Sequence, residues 1–267
     1  MRRRRYGLRA VVFGYLAFVL LAPLVMIFYR AFQSGLSPVW QTLSDPNTVH
    51  AFQVTLIAAA IAVPINTVFG VLCALAIVRR RFPGKGLLNA FIDLPVAISP
   101  VVVGVALFLL YDRTGWFGGR LTGIGHPLQV LFALPGIVLA TIFASVPFVA
   151  REVIPTLREL GTEQEQAAAT LGASRWQRFY RITLPSIRWA IIYGVVLTTA
   201  RALGEYGTVA VVSGNIIGKT ETATVEVGQL AENFNDAGAY SVSLVLALIA
   251  VLVLVAMTVI RPRESHQ

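Results

Sequence analysis

Six times along this chain an apolar run recurs, over residues 10–29, 52–78, 91–111, 130–150, 188–212 and 240–260. About 20 such residues cross the hydrocarbon core of a bilayer as a helix. A helix or a closed barrel is the only spanning structure that satisfies its own backbone there. The pattern predicts an all-α polytopic membrane protein with about six transmembrane helices, forming one domain over residues 1–267. Composition supports this where it bears on solvent. Hydrophobic residues make up 56% of the chain and charged residues 13%, against about a quarter charged in soluble domains. Pro64, Pro100, Pro135 and Pro147 fall inside the runs. Neighbouring helices in a membrane can re-satisfy a backbone that proline interrupts.

The first run follows Arg2–Arg5, as the apolar core of a signal peptide would. Its length exceeds that of such a core, and no small-x-small site precedes Tyr29-Arg30. A retained anchor is the expectation.

Basic residues fix an orientation. One set of connections and termini holds seventeen Lys and Arg: the amino end, the stretch Arg79–Lys85, the stretch Arg151–Arg188, and the tail. The alternate set holds four: Arg30, Arg113, Arg120 and Lys219. Basic residues accumulate on the cytoplasmic side, so both termini are expected there, in a bacterial cytoplasmic (inner) membrane. Topology thus accounts for the net charge of +9, and no nucleic-acid partner is needed.

Residues with chemistry to offer are sparse. Cys73 is alone in an apolar run, so neither an intrachain disulfide nor a multi-cysteine metal site is available. His50, His126 and His266 are scattered, and HExxH and GxSxG are absent. No catalytic residue, metal site or cofactor is expected in this chain. A membrane-embedded enzyme would need converging His, Ser or Asp. A stand-alone channel or secondary transporter would be expected to show more intramembrane charge or an inverted repeat.

The fourth connection, residues 151–187, stands out by length and pattern. Thr162-Glu163-Gln164-Glu165 fits a capping box, in which Thr162 accepts a backbone N–H and Glu165 reaches back. Gln166-Ala167-Ala168-Ala169 continues a helix, and Gly172 stands where a left-handed cap would end it. Ser174-Arg175-Trp176-Gln177 repeats the box, Phe179 and Ile182 supply an apolar face, and Leu184-Pro185 is read as the stop. A cytoplasmic helix pair can dock a soluble partner or lie on lipid; pattern alone leaves both open.

Gln166-Ala167-Ala168, Gly172 after three residues, Ile182 after nine more and Leu184-Pro185 after one resemble the EAA loop of ABC importer permeases in every spacing. Gln166 replaces the family's Glu, with Glu165 one position earlier. Residues 136–143, 147–152, 200–207 and 211–216 extend the resemblance to the permeases of sulfate/thiosulfate importers, W-type most closely. The resemblance covers nearly the whole chain. It implies the type I importer permease fold with cytoplasmic coupling helices. Its implied partners are a T-type permease, an ATP-binding cassette ATPase dimer and an extracytoplasmic sulfate-binding protein. ATP and Mg²⁺ would bind the ATPase subunits. ATPase coupling would fall to Glu165, Gln166, Ala167, Ala168, Gly172, Ile182, Leu184 and Pro185. Molybdate, tungstate or another oxyanion is the alternative substrate.

Other features carry two readings each. Arg201 and Glu205 share a helix face in the fifth run, either as a self-neutralising pair or as part of an anion path. Gly204 and Gly207 around them allow close packing or a helix break. Asp93 is expected to cap or to pair with Arg79–Arg81. Gly214–Thr220 misses the phosphate-loop spacing by one residue and reads as a turn. Tyr111, Trp116 and Phe117 fit interfacial anchoring. Glu221, Glu226, Glu232 and Asp236 make the last outer connection acidic, as a solvated loop or as a docking surface.

Overall fold

The computed structural model describes residues 2–112, 114–117 and 129–260. His126, His266, Arg113, Arg120, Arg261 and Arg263 lie outside them. The described residues form helices and connections, with no strand. Among the described residues five helices are long and apolar enough to span a bilayer, and a bent pair passes the same test when its two helices are taken together. These are α1 (Arg2–Phe32), α3 (Pro46–Arg79), α6 (Leu134–Glu159), α9 (Leu184–Leu203) with its preceding turn, α12 (Asp236–Ile260), and the pair α4 (Lys85–Ala97) and α5 (Pro100–Tyr111). Short helices are α2 (Leu36–Ser44), α7 (Glu163–Thr170), α8 (Arg175–Arg178), α10 (Gly207–Val212) and α11 (Ala223–Glu232).

The centre of the fold is α3 against α6. Their approach is close because Gly70 faces Val149, where an added Cβ would stand 2.8 Å from the Val149 Cβ. Gly194 on α9 meets the same residue, where an added Cβ would stand 2.8 Å from the Val149 Cα. Small residues let helix backbones approach in a medium that offers no hydrophobic drive. Asn66 on α3 donates to the Ile142 carbonyl at 2.9 Å and to Ser145 Oγ at 2.8 Å, tying the two helices together. Ile77, Ile92, Val153, Leu157 and Ile187 fill the core towards the Arg79 end, and Val54, Ile137, Val209 and Val225 fill it towards the other.

Asp45 starts α3 by accepting the Asn47 N–H at 2.8 Å, with Pro46 in the first turn, where its missing N–H costs nothing. At that end Thr55 Oγ1 accepts the Ala223 N–H at 2.9 Å, so α11 is fastened to α3. The apolar side chains of α1, among them Phe13, Phe18 and Val25, are exposed, as a lipid-facing helix requires.

Two expected spans are broken. The 91–111 stretch is not one helix: α4 and α5 meet at 110° across Ile98 and Ser99. Ser99 is extended (φ −58, ψ 133), the conformation that the ring of Pro100 favours in the residue before it. The 188–212 stretch is likewise interrupted between Leu203 and Gly207. Pro100 and Pro135 open helices, while Pro64 and Pro147 lie within them.

Candidate functional site

At the Arg79 end, α6 runs into a turn through Gly161 (φ 62) and re-emerges as α7. The expected capping box at Thr162 is absent. The Thr162 side chain caps no N–H and instead accepts from Gln166 Nε2 at 2.9 Å. Glu165 is drawn elsewhere by a stronger donor: its Oε1 accepts from Arg79 Nη2 at 3.0 Å and from Thr183 Oγ1 at 2.9 Å. Arg79 also donates to the Leu157 carbonyl at 3.2 Å. One carboxylate thus joins the ends of α3 and α6 to the segment that leads into α9. The pair is largely shielded, with side chains 16% and 21% exposed. Glu165 therefore points inward, and Gln166 and Ala167 point out.

Gly172 ends α7 with φ 83, and the Ala173 N–H reaches the Ala168 carbonyl while the Gly172 N–H reaches that of Ala169, each at 3.0 Å. This is the left-handed cap expected there, in its two-bond form. Ser174 and Gln177 form the second capping box as expected, with both bonds present. Leu184-Pro185 does not stop the second helix. Phe179–Thr183 forms a π-helical turn in which the Leu184 N–H bonds the Phe179 carbonyl, and α8 passes into α9 without a break. The wide turn accommodates Pro185, which has no N–H to give. Ile182 and Leu184 are half-buried and Pro185 is exposed.

The surface around α7 and α8 is unexpectedly apolar. Leu171 is 88% exposed, Trp176 70% and Tyr180 59%, and the Trp176 and Tyr180 rings stack at 5.9 Å. Their hydrophobicity was readable, but not their failure to find a core. Asp93 does not join Arg79–Arg81; it forms a bidentate pair with Arg151, one bond being 2.6 Å from Nε.

Deeper in the bundle, Arg201 Nη1 stands 2.5 Å from Glu205 Oε2. The Glu205 side chain is 1% exposed and that of Arg201 is 32% exposed. The helix ends at Leu203, and Glu205 Oε1 then accepts the Thr208 N–H at 3.0 Å, opening α10. Thr208 Oγ1 donates to the Pro100 carbonyl at 3.1 Å, and Gly207 lies so close to Pro100 that a Cβ would stand 2.8 Å from the proline's own. The two helix breaks, at Ser99 and at Glu205, therefore pack on each other. Thr224 Oγ1 donates to the Glu205 carbonyl at 2.6 Å, which brings α11 to the same place.

At the opposite end, Gly214–Thr220 is a closed turn with left-handed Gly214, Asn215 and Gly218. Its Asn215 and Ile216 N–H groups are taken by Ser213 Oγ and Thr220 Oγ1, so they form no open cradle. Glu232 and Asp236 are exposed, but Glu221 and Glu226 are buried, at 3% and 6% exposure. No group of three or more His, Cys, Asp and Glu suited to a metal ion occurs among the described residues.

The family model described as "Binding-protein-dependent transport system inner membrane component" matches residues 66–266. The chain belongs to this permease family. The permease is 48% identical over 262 residues to the sulfate transport system permease protein CysW of Synechocystis sp. (strain ATCC 27184 / PCC 6803 / Kazusa), covering 98% of this chain and 94% of that protein. It is 46% identical to CysW of Escherichia coli (strain K12), covering 94% of this chain and 86% of that one. Identity to CysT of the same strain is 36%, over 95% and 91% of the two chains. The permease also superposes on a chain of the crystal structure of a bacterial alginate ABC transporter in complex with an alginate pentasaccharide-bound periplasmic protein. The TM-score is 0.75 at 19% identity, covering 99% and 97% of the two chains. That likeness shows the shared fold of an importer permease.

Proposed function

We propose that this permease is the W-type transmembrane subunit of an ATP-driven sulfate/thiosulfate importer. The observation that carries the reading is identity of 46–48% to CysW proteins over nearly the whole chain. A T-type permease completes the translocation path. A dimer of ATP-binding cassette ATPases drives it, and an extracytoplasmic sulfate-binding protein delivers the anion. ATP and Mg²⁺ bind the ATPase subunits, and this chain contributes no covalent chemistry.

Residues 151–187 face the cytoplasm and form the coupling loop. Helix α7 sits in a groove of the ATPase with Gln166, Ala167 and Leu171 outward, while Glu165 anchors the helix to the bundle. Closure of the ATPases displaces the loop and, through α9, reorients the broken helices. Arg201 offers positive charge to the passing oxyanion at those breaks. Glu205 limits how firmly the anion is held, since a path must release what it binds.

The experiment is uptake of radiolabelled sulfate in cells whose own sulfate importer is deleted, with this subunit co-expressed with its T-type, ATPase and binding-protein partners. Sulfate uptake competed by thiosulfate but not by molybdate is expected. Molybdate uptake without sulfate uptake would replace the substrate. An extracytoplasmic reporter fused after Gln267 should be silent and one inserted after Trp116 active; the reverse would overturn the orientation.

A further inference from the structure

Helix α2, the start of α3, the 213–222 turn and α11 close around a cavity of about 370 Å³. Among the described residues its lining holds three carboxylates, Asp45, Glu221 and Glu226, and no Lys, Arg or His. Thr48 Oγ1 donates to Glu226 Oε1. The other oxygen of Glu226 is buried without a hydrogen-bond partner, on a residue 94% removed from solvent. A buried carboxylate oxygen lacking a donor is costly. Glu221 beside it makes the cost larger, because two like charges share one enclosure. Burial and the Glu226 charge together push the Glu221 carboxyl up to about 7. The cavity is built as if a positive charge belonged in it.

The carboxylates do not converge as a metal-ligand group. The volume is far larger than a bare ion needs and suits an ammonium or guanidinium with its aliphatic stem. The rim tells what carries that cation. Ile217, itself in the lining, is 59% exposed, and Phe234, between Asn233 and Asn235, is 93% exposed. Phe234 is held out at φ 59, a conformation uncommon outside glycine. Exposed apolar side chains such as Ile217 and Phe234 beside a charged pocket have the anatomy of a protein docking site, where surrounding contacts keep water from the central one. A free amine in solution would need no such rim.

We propose that this cavity receives one basic side chain, Lys or Arg, of the binding protein that docks on the extracytoplasmic face. The inference rests on the importer reading above. The incoming cation supplies the missing donor to Glu226 Oε2 and neutralises Glu221, while Asp45 at the mouth attracts it. The rim residues close over its stem.

The test uses the assembled transporter in nanodiscs and its purified, sulfate-loaded binding protein. Glu226→Gln and Glu221→Gln should each weaken capture of the binding protein by about tenfold, while the ATPase subunits still co-purify. Asp45→Asn, which keeps a good helix cap, should weaken it a few-fold and guards against a folding artefact at the buried sites. Alanine substitution of the binding protein's surface Lys and Arg should find one position whose effect vanishes in the Glu226→Gln background. Wild-type affinity in all three carboxylate variants would overturn the proposal and leave the importer reading intact. So would a loss seen only in nanodiscs containing phosphatidylethanolamine, which would assign the cavity to a lipid amine. A wild-type complex that captures no binding protein at all would overturn both readings.

Discussion

Arg79, the last residue of α3, and Glu165, in the first turns of α7, lie 86 positions apart in sequence and 3.0 Å apart in space. Thr183 binds the same carboxylate oxygen. Three segments that no local pattern connects therefore share one acceptor. Glu165→Gln removes the charge and leaves Arg79 shielded without its counter-ion, a loss of about 2–3 kcal/mol for a partly buried pair. Sulfate uptake should fall on the order of tenfold, while ATP hydrolysis by the complex persists with a weakened response to the binding protein. Thr183→Val should do less, because the ion pair survives. Unchanged uptake in Glu165→Gln would show that the junction is not needed for coupling.

Gly172 has open space around it, with nothing within 4 Å of an added Cβ. Its constraint is therefore its own backbone, at φ 83. The left-handed conformation costs an L-residue about 1–2 kcal/mol, and asparagine tolerates it better than a β-branched residue does. Gly172→Val should abolish uptake or uncouple it from ATP hydrolysis, and Gly172→Asn should retain most of it. Uptake, ATPase activity and co-purification on the same preparations decide; equal behaviour of the two variants would remove the backbone explanation.

The Arg201–Glu205 contact separates into two testable roles. If the arginine serves only its partner, Arg201→Gln should lower subunit abundance by leaving the buried Glu205 charge alone, and Arg201→Gln with Glu205→Gln should restore it. If it also serves the anion, the double variant should assemble normally and still take up sulfate at least tenfold more slowly. The second outcome is expected, because the Arg201 side chain is 32% exposed while that of Glu205 is 1% exposed. Wild-type uptake by the double variant would end the pathway role.

Glu221 carries a pH signature. Its carboxyl is raised from the ordinary 4.5 to about 7 in the folded state, by burial first and by Glu226 second. Burial raises Glu226 as well, with the Thr48 bond opposing and Asp45 adding to it. The folded protein then holds its proton more tightly than the unfolded chain does. Stability should decline as pH rises from about 4.5 through about 7 and level off above that. Thermal unfolding of the detergent-purified subunit should show this slope, and Glu221→Gln should flatten it; an identical slope in the variant would place the titration elsewhere.

Hydropathy made the long helices legible, because it sums over a window and tolerates single exceptions. The breaks were not legible, since each is set by one residue and its distant partners. Pro100 was visible, yet whether a proline bends a helix or is absorbed depends on what packs against it, and here Thr208, 108 positions away, donates to its carbonyl. Gly172 was readable because only its own φ mattered. The capping box at Thr162 misled because Arg79 outbids a backbone N–H for Glu165. Glu221 and Glu226 read from sequence as part of an acidic connection, either a solvated loop or a docking surface, and neither reading placed them in the interior. Their burial comes from α2 and the head of α3 closing over them, which no short window records.

The uninterrupted passage from α8 through the π-helical turn into α9 leaves no loose joint between the exposed Trp176 and the buried Arg201–Glu205 contact. The 20 residues of α9 make a rod about 30 Å long at 1.5 Å per residue. Moved as one piece with α8, such a rod tilted by roughly ten degrees about its α8 end would carry its far end about 5 Å. That displacement rivals one full helical turn, delivered where two half-helices abut across Gly207 and Pro100. In the coupling role proposed for residues 151–187, the chain is geared: a small angle at its surface becomes a large stroke in its middle, with leverage set by the length of one helix.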